Sequence, residues 1–191
     1  MMITPFFSKV FGSTTHPVKT GKNRCSIEHF LLEAIYHFEN GNYERAEKDF
    51  RLLVKADPDH PLAHIMIARC RIENKDYERA IESLFDHLRI VPESVEALIN
   101  LGLCYFECGD IKSAEGRFAQ ALELKKDNLL VRENLAIAKM ASGQFENAMD
   151  VFIKIHDDEP ENRSILQLIV LSLGKLGKWE AAKHYAHLMQ E

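Results

Sequence analysis

Five alanines, Ala46, Ala80, Ala114, Ala148 and Ala182, recur at intervals of 34 residues with no insertion or deletion between them. A strict period of that length is the signature of stacked helix–turn–helix units, each burying its apolar face only against its neighbours. No other feature of the chain constrains its fold so tightly. The functional question accordingly becomes what a solenoid surface grips, and less what an active site transforms.

With each alanine at position 20, the repeats run 27–60, 61–94, 95–128, 129–162 and 163–191. Position 8 reads Ala34, Ala68, Gly102, Ala136 and Val170, and position 24 reads Phe50, Leu84, Phe118, Phe152 and Ala186. Small residues at 8 and 20 let two helices approach to about 8–10 Å, with bulky residues at 17 and 24 filling the space beside them. Position 15 is Gly41, Lys75, Gly109, Gly143 and Gly177, suited to a left-handed cap that ends a first helix. Ser94, Asn128 and Asn162 at position 34, with Ser26 ahead of repeat 1, are expected N-cap residues for the helix that follows. Prolines at position 32, Pro58, Pro92 and Pro160, stop the preceding helix.

Taken together, these positions resemble the tetratricopeptide repeat (TPR), over residues 27–191. The resemblance implies an all-α fold, a right-handed α-solenoid of helix–turn–helix repeats with ten helices in five antiparallel pairs. Some positions depart from the pattern. Position 4 is His64 in repeat 2 and Arg132 in repeat 4, where an apolar residue is usual. Position 7 is Glu33 in repeat 1, and position 11, often Tyr in the family, is so only at Tyr105. Val170 stands where a small residue is usual, which predicts a wider helix pair in repeat 5.

Net charge is −5 over 191 residues, but it is unevenly divided. Residues 1–26 carry Lys9, Lys19, Lys22 and Arg24 without an acid, which leaves the repeats with 20 basic against 29 acidic residues, a net of −9. An acidic solenoid lacking basic stripes argues against nucleic acid as a partner. Residues 1–26 are expected to form a flexible basic segment outside the repeat domain. They do not read as a secretory signal, because Pro5 interrupts a short apolar run and the charges follow it. Three readings stand for this segment: a plain tail, a transit-peptide-like leader, or a docking element whose Phe6, Phe7, Val10 and Phe11 would share one helical face. No stretch approaches the roughly 20 apolar residues of a transmembrane span.

Cys70 and Cys104 fall at the same repeat position and read as packing residues. Cys104 and Cys108 lie four apart on one helix, where Cβ atoms are about 5–6 Å apart, too far for a good disulfide at about 3.5–4.5 Å. With Cys25, they are expected to be free, buried thiols of a reducing, cytoplasmic compartment. His184 and His187 could share a metal, but two ligands make no site, so no metal and no cofactor are expected.

In the family, first helices line the concave surface with positions 2, 5, 6, 9, 12 and 13. At 5, 9 and 12, eleven of fifteen residues here are apolar. A contiguous exposed apolar patch marks a binding site, whereas contact between adjacent first helices would make the same residues packing. The candidate groove comprises Leu31, Ile35, Phe38, Ile65, Met66, Arg69, Ile72, Ile99, Asn100, Leu103, Phe106, Asn134, Ile137 and Met140. Asn100 and Asn134 could bond a peptide backbone, and Arg69 an acid. The carboxylate-clamp subtype of the family is not matched: the best window supplies Ile65, Arg69, Asn100, Leu130 and Asn134, without the lysines that hold a carboxylate.

No nucleophile elbow, phosphate loop, zinc signature or kinase set is present, so an enzyme is not expected. The expected function is a protein-interaction module, an adaptor or chaperone, that holds a helical or extended segment of a client in an apolar groove. The alternative is a scaffold that stacks end to end, a homo-oligomer formed through an uncapped C-terminal helix.

Overall fold

The computed structural model of the chain describes residues 24–189. Within them lie ten α-helices: α1 (Arg24–Glu39), α2 (Tyr43–Ala56), α3 (Pro61–Glu73), α4 (Tyr77–Ile90), α5 (Val95–Glu107), α6 (Ile111–Leu124), α7 (Leu129–Ala141), α8 (Phe145–Asp158), α9 (Arg163–Lys175) and α10 (Trp179–Leu188). Consecutive helices pack on one another along the chain in a right-handed all-α solenoid, with no strand among the described residues. The second helices begin at Tyr43, Tyr77, Ile111, Phe145 and Trp179, so the 34-residue period reappears in their starts. The first helices of repeats 2 to 5 begin on the repeat boundary; α1 starts early, at Arg24, so Ser26, expected to cap it, lies within its first turn. The candidate docking residues Phe6, Phe7, Val10 and Phe11 lie outside the described residues.

Turn chemistry sets these boundaries. Gly41, Gly109, Gly143 and Gly177 adopt φ of 74°, 81°, 84° and 70°, and Lys75 takes the same left-handed conformation at 61°. In every one of these turns the amide of position 16 donates to the carbonyl of position 11 at 2.8–2.9 Å, the long bond of a Schellman cap. At the other turns Ser94, Asn128 and Asn162 accept the amide three residues on. His60 does the same work with a ring: its Nδ1 accepts from the Ala63 amide at 3.2 Å. That bond requires an unprotonated Nδ1 and so places the neutral ring's proton on Nε2.

The alanines that define the period are buried, Ala46, Ala80, Ala114 and Ala148 completely and Ala182 to 7% exposure. Phe50, Phe118 and Phe152 fill the space beside them. The tightest approach is in repeat 3, where a Cβ at Gly102 would fall within 2.7 Å of the Phe118 ring atoms. In repeat 5 the bulk has changed helices, with Val170 packed against the core and Ala186 standing where other repeats carry Phe or Leu. The expected widening therefore has a simpler alternative, an exchange of volume.

The polar departures are absorbed locally. His64 Nε2 donates to the Pro58 carbonyl at 2.8 Å. Arg132, at the same repeat position, donates through Nε and Nη2 to the Lys126 carbonyl at 3.1 and 2.8 Å. Both reach six residues back to the same point of the preceding turn and satisfy a carbonyl beyond a helix end. Arg71 replaces the usual Tyr and ties repeat 1 to repeat 2. Its Nε and Nη2 hold Glu47 Oε1 at 3.0 Å, and its Nη1 reaches the Arg79 carbonyl at 2.7 Å and Ser83 Oγ at 2.6 Å. Cys70, Cys104 and Cys108 are free thiols. Burial pushes Cys70 and Cys104 up to about 12. Cys108, by contrast with the expectation, is exposed.

Candidate functional site: the concave face

Besides their chain neighbours, α5 and α7 touch one another directly. First helices thus share one wall, the side that is concave in the family, and α5 and α7 meet on it. Its lining divides into three classes by exposure.

Ile65 and Met66 are buried, at 5% and 6% exposure, and belong to the core. Leu31, Ile35, Phe38 and Ile72 are half-buried against the core of repeats 1 to 3. Ile99 and Phe106 pack on the cluster around Phe118, and Ile137 and Met140 on that around Phe152. Much of the predicted stripe is therefore packed against the core and not free. Asn100 and Asn134 are half-buried beside it. The Arg69 guanidinium lies 5.0 Å from the centre of the Phe38 ring, which itself meets Tyr43 edge-on at 5.3 Å. Arg69 Nη1 also approaches Met66 Sδ at 3.7 Å. This cation covers the apolar surface of repeats 1 and 2.

Of the predicted residues, Leu103 is the most open, at 37% exposure. Three further leucines share the inner-face positions and stay open: Leu32 at 60%, Leu130 at 55% and Leu171 at 49%. Leu32 and Leu130 occupy positions 6 and 2, which face the groove in the family, but were not among the groove residues expected from the sequence. A second signal was also missed. Glu39, Glu73 and Glu107 recur every 34 residues as the last residues of α1, α3 and α5, all three exposed along one edge of this wall.

The face offers no catalytic constellation. Among the described residues no three His, Cys, Asp or Glu side chains converge as metal ligands. Its means are apolar contact from the leucines, hydrogen bonding from the two asparagines and a field from the glutamate edge. Among the described residues no helix is long and apolar enough to cross a membrane.

Comparison with known proteins agrees with this geometry. Two family models, both described as tetratricopeptide repeat, match residues 31–94 and 95–128, together just over half of the 191 residues. No curated protein sequence matches the chain. Among solved structures, a crystal structure of MamA protein aligns with a TM-score of 0.78 at 19% identity, covering 86% of this chain and 90% of that one. MamA 41-end from Desulfovibrio magneticus RS-1 aligns with a TM-score of 0.83 at 14% identity, covering 90% and 96%. At such identities the likeness is one of fold. The helix boundaries, the left-handed turns and the matched family models converge: the chain belongs to the tetratricopeptide repeat family and is an interaction or scaffolding module, not an enzyme.

Proposed function

We propose that this protein is an adaptor or chaperone that holds a helical or extended segment of a client protein against its concave face. The observation that supports this reading is the set of leucines, Leu32, Leu103, Leu130 and Leu171, left open at 60%, 37%, 55% and 49% exposure along a wall whose expected apolar groove residues are otherwise buried or half-buried. Exposed leucines spread along one concave surface mark a site that gains by being covered. Asn100 and Asn134 would pair with the client backbone, and the net charge of −9 over the repeats disfavours nucleic acid in that place. A cytoplasmic location goes with this reading, as do the free thiols.

Leu103→Glu tests it better than a change at Ile72 or Phe106, which are half-buried and would disturb packing as well. A photo-crosslinking residue at position 103 should trap a discrete client in cells, and one at Leu52, exposed at 39% on the outer helix α2, should not. Leu103→Glu combined with Leu171→Glu should abolish the complex with helicity unchanged. Identical crosslinks from both positions, or a complex that survives the double change, would overturn the groove.

Trp179, 65% exposed at the start of α10, favours a second reading in which this end meets another copy. Light scattering that rises with concentration, and that Trp179→Ala suppresses, would support it. A concentration-independent mass would dismiss it.

A further inference from the structure

Repeat position 4 closes the junction with the preceding repeat. His64, Leu98 and Leu166 hold it on entry to repeats 2, 3 and 5, and all three are buried. On entry to repeat 4 the residue is Arg132, whose Nε and Nη2 are drawn out to the Lys126 carbonyl. The apolar volume this removes is not restored: Leu135 is half-buried, whereas its counterparts Ile67, Leu101 and Ile169 are buried. A cleft of about 320 Å³ lies here, floored by Leu122 of α6, Leu135 of α7 and Val151 and Ile155 of α8. Arg132, Lys154 and Asp158 complete its lining. Packed interiors leave few voids larger than a water molecule. Apolar walls with a few charged groups, at this volume, are the make-up of a small-ligand site.

We propose that this cleft binds a small aliphatic monocarboxylate, its chain on the four aliphatic side chains and its carboxylate at Arg132 and Lys154. At ~30 Å³ for a water-sized group, the space admits about ten non-hydrogen atoms. Arg132 and Lys154 outnumber Asp158 in the lining, so an anion is favoured over a cation. Asp127 meets Arg132 Nη2 at 3.1 Å, but its side chain is 98% exposed and such a pair is worth little in water. The bonds to Lys126 and Asp127 use Nε and Nη2 and leave Nη1 over for a ligand. They also hold the guanidinium in place before a ligand arrives, which lowers the ordering cost of binding. The lining comes mostly from the second helices α6 and α8. Arg132 and Leu135 stand at positions 4 and 7 of α7, off the wall that carries the open leucines, so the site is independent of the groove reading.

The test titrates octanoate into the full chain and follows methyl resonances. Saturable shifts are expected at Leu122, Leu135, Val151 and Ile155. Octanol, with the same chain and no charge, should bind about ten-fold more weakly, the loss of one charge-assisted hydrogen bond. Octylammonium should bind more weakly still. Asp158→Asn should tighten octanoate about three-fold by removing a like charge, and Lys154→Gln should loosen it about three-fold. Both side chains are exposed, so helicity should hold in either variant. Arg132→Leu should close the junction as Leu98 and Leu166 do, raise the urea midpoint and abolish the shifts. Shifts centred on Leu103, Leu130 and Leu171 would move the acid to the wall of open leucines and overturn the proposal. Equal affinity for octanoate and octanol, native affinity in Arg132→Leu, or weaker binding in Asp158→Asn would also overturn it. Crosslinking of a client at position 103 reads out separately, so the groove and the cleft can stand or fall apart.

Discussion

The outer face of α1 and the corresponding faces of α3, α5, α7 and α9 use the same three repeat positions with opposite chemistry. Inside the array, position 3 is Ala63, Ala97, Val131 and Ile165, all fully buried. Position 7 there is Ile67, Leu101, Leu135 and Ile169, and position 10 is Cys70, Cys104, Ala138 and Ser172. In α1 these positions hold His29, Glu33 and Tyr36, with His29 Nε2 3.4 Å from Glu33 Oε1 and Tyr36 64% exposed. No described helix precedes α1, and the repeat has been rewritten for water on that side. At the other end, Trp179 is 65% exposed, whereas its counterparts Tyr43, Tyr77, Ile111 and Phe145 are half-buried. One end is polar and the other aromatic, so a head-to-tail stack in the register of the repeat would set a large tyrosine where the interior accepts only Cys, Ala or Ser. The lesson is that a repeat position prescribes backbone geometry, and the presence of a neighbour decides the chemistry the position needs.

The largest effect expected from this contrast comes from placing the α1 residue inside. Ile67→Glu should lower unfolding stability by about 3–5 kcal/mol in urea melts, because a carboxylate would be buried without a partner. Glu33→Ile should stay within about 0.5 kcal/mol, since its side chain faces solvent. Equal losses from the two changes would mean that position 7 has the same environment at the end as inside.

A smaller loss is expected in the tightest repeat. Gly102→Ala forces the Phe118 ring aside and should cost about 1–3 kcal/mol in thermal or chemical melts. Alanine already stands at this position in repeats 1, 2 and 4, so a neutral result would show that the ring can move as freely in repeat 3 as its counterparts elsewhere.

Smaller again is the gain from correcting the one non-glycine left-handed turn among the described residues. Lys75→Gly should raise stability by about 0.5–1 kcal/mol, the relief of a left-handed backbone less the added freedom of the unfolded chain. Gly109→Lys should lose a comparable amount. Denaturation midpoints for the pair check the sign, and matching changes in the same direction would contradict it.

Least of all should change on Trp179→Ala, within about 0.5 kcal/mol for so exposed a side chain. Trp179 is the single tryptophan of the chain, and its emission is therefore a direct report on this end. Emission typical of a solvated indole at every concentration is expected of a free end. A blue shift on concentration would show the end covered by another copy, and would turn the contrast between the two ends into a contrast between surface and interface.

Much of the architecture was legible because it is periodic. Glycines and alanines at fixed spacing dictate where helices end and how closely they approach, and those are local or nearest-neighbour matters. The candidate site was legible only in part. Hydrophobicity at positions 5, 9 and 12 located the right wall, yet it could not tell Ile65, closed at 5% exposure, from Leu103, open at 37%. Both are aliphatic residues on the same stripe. Leu32 and Leu130 stand at positions 6 and 2 of the same wall, and spacing could not tell the open Leu32 from Met66 at the same repeat position, closed at 6% exposure. The glutamates ending α1, α3 and α5 were visible at their 34-residue interval but acquire meaning only with the helix ends fixed beside them.

By itself the sequence determined the period, the helix boundaries, the left-handed turns and the family, because each depends on residues within one repeat or its immediate neighbour. Only the tertiary structure decided which apolar residues seal the seam and which stay open. It also decided that Glu33 belongs to a surface, and that His64 and Arg132 reach back to the preceding turn. Those outcomes depend on curvature and on how closely neighbouring first helices approach. That approach is a sum of side-chain volumes across several repeats, and no single position carries it.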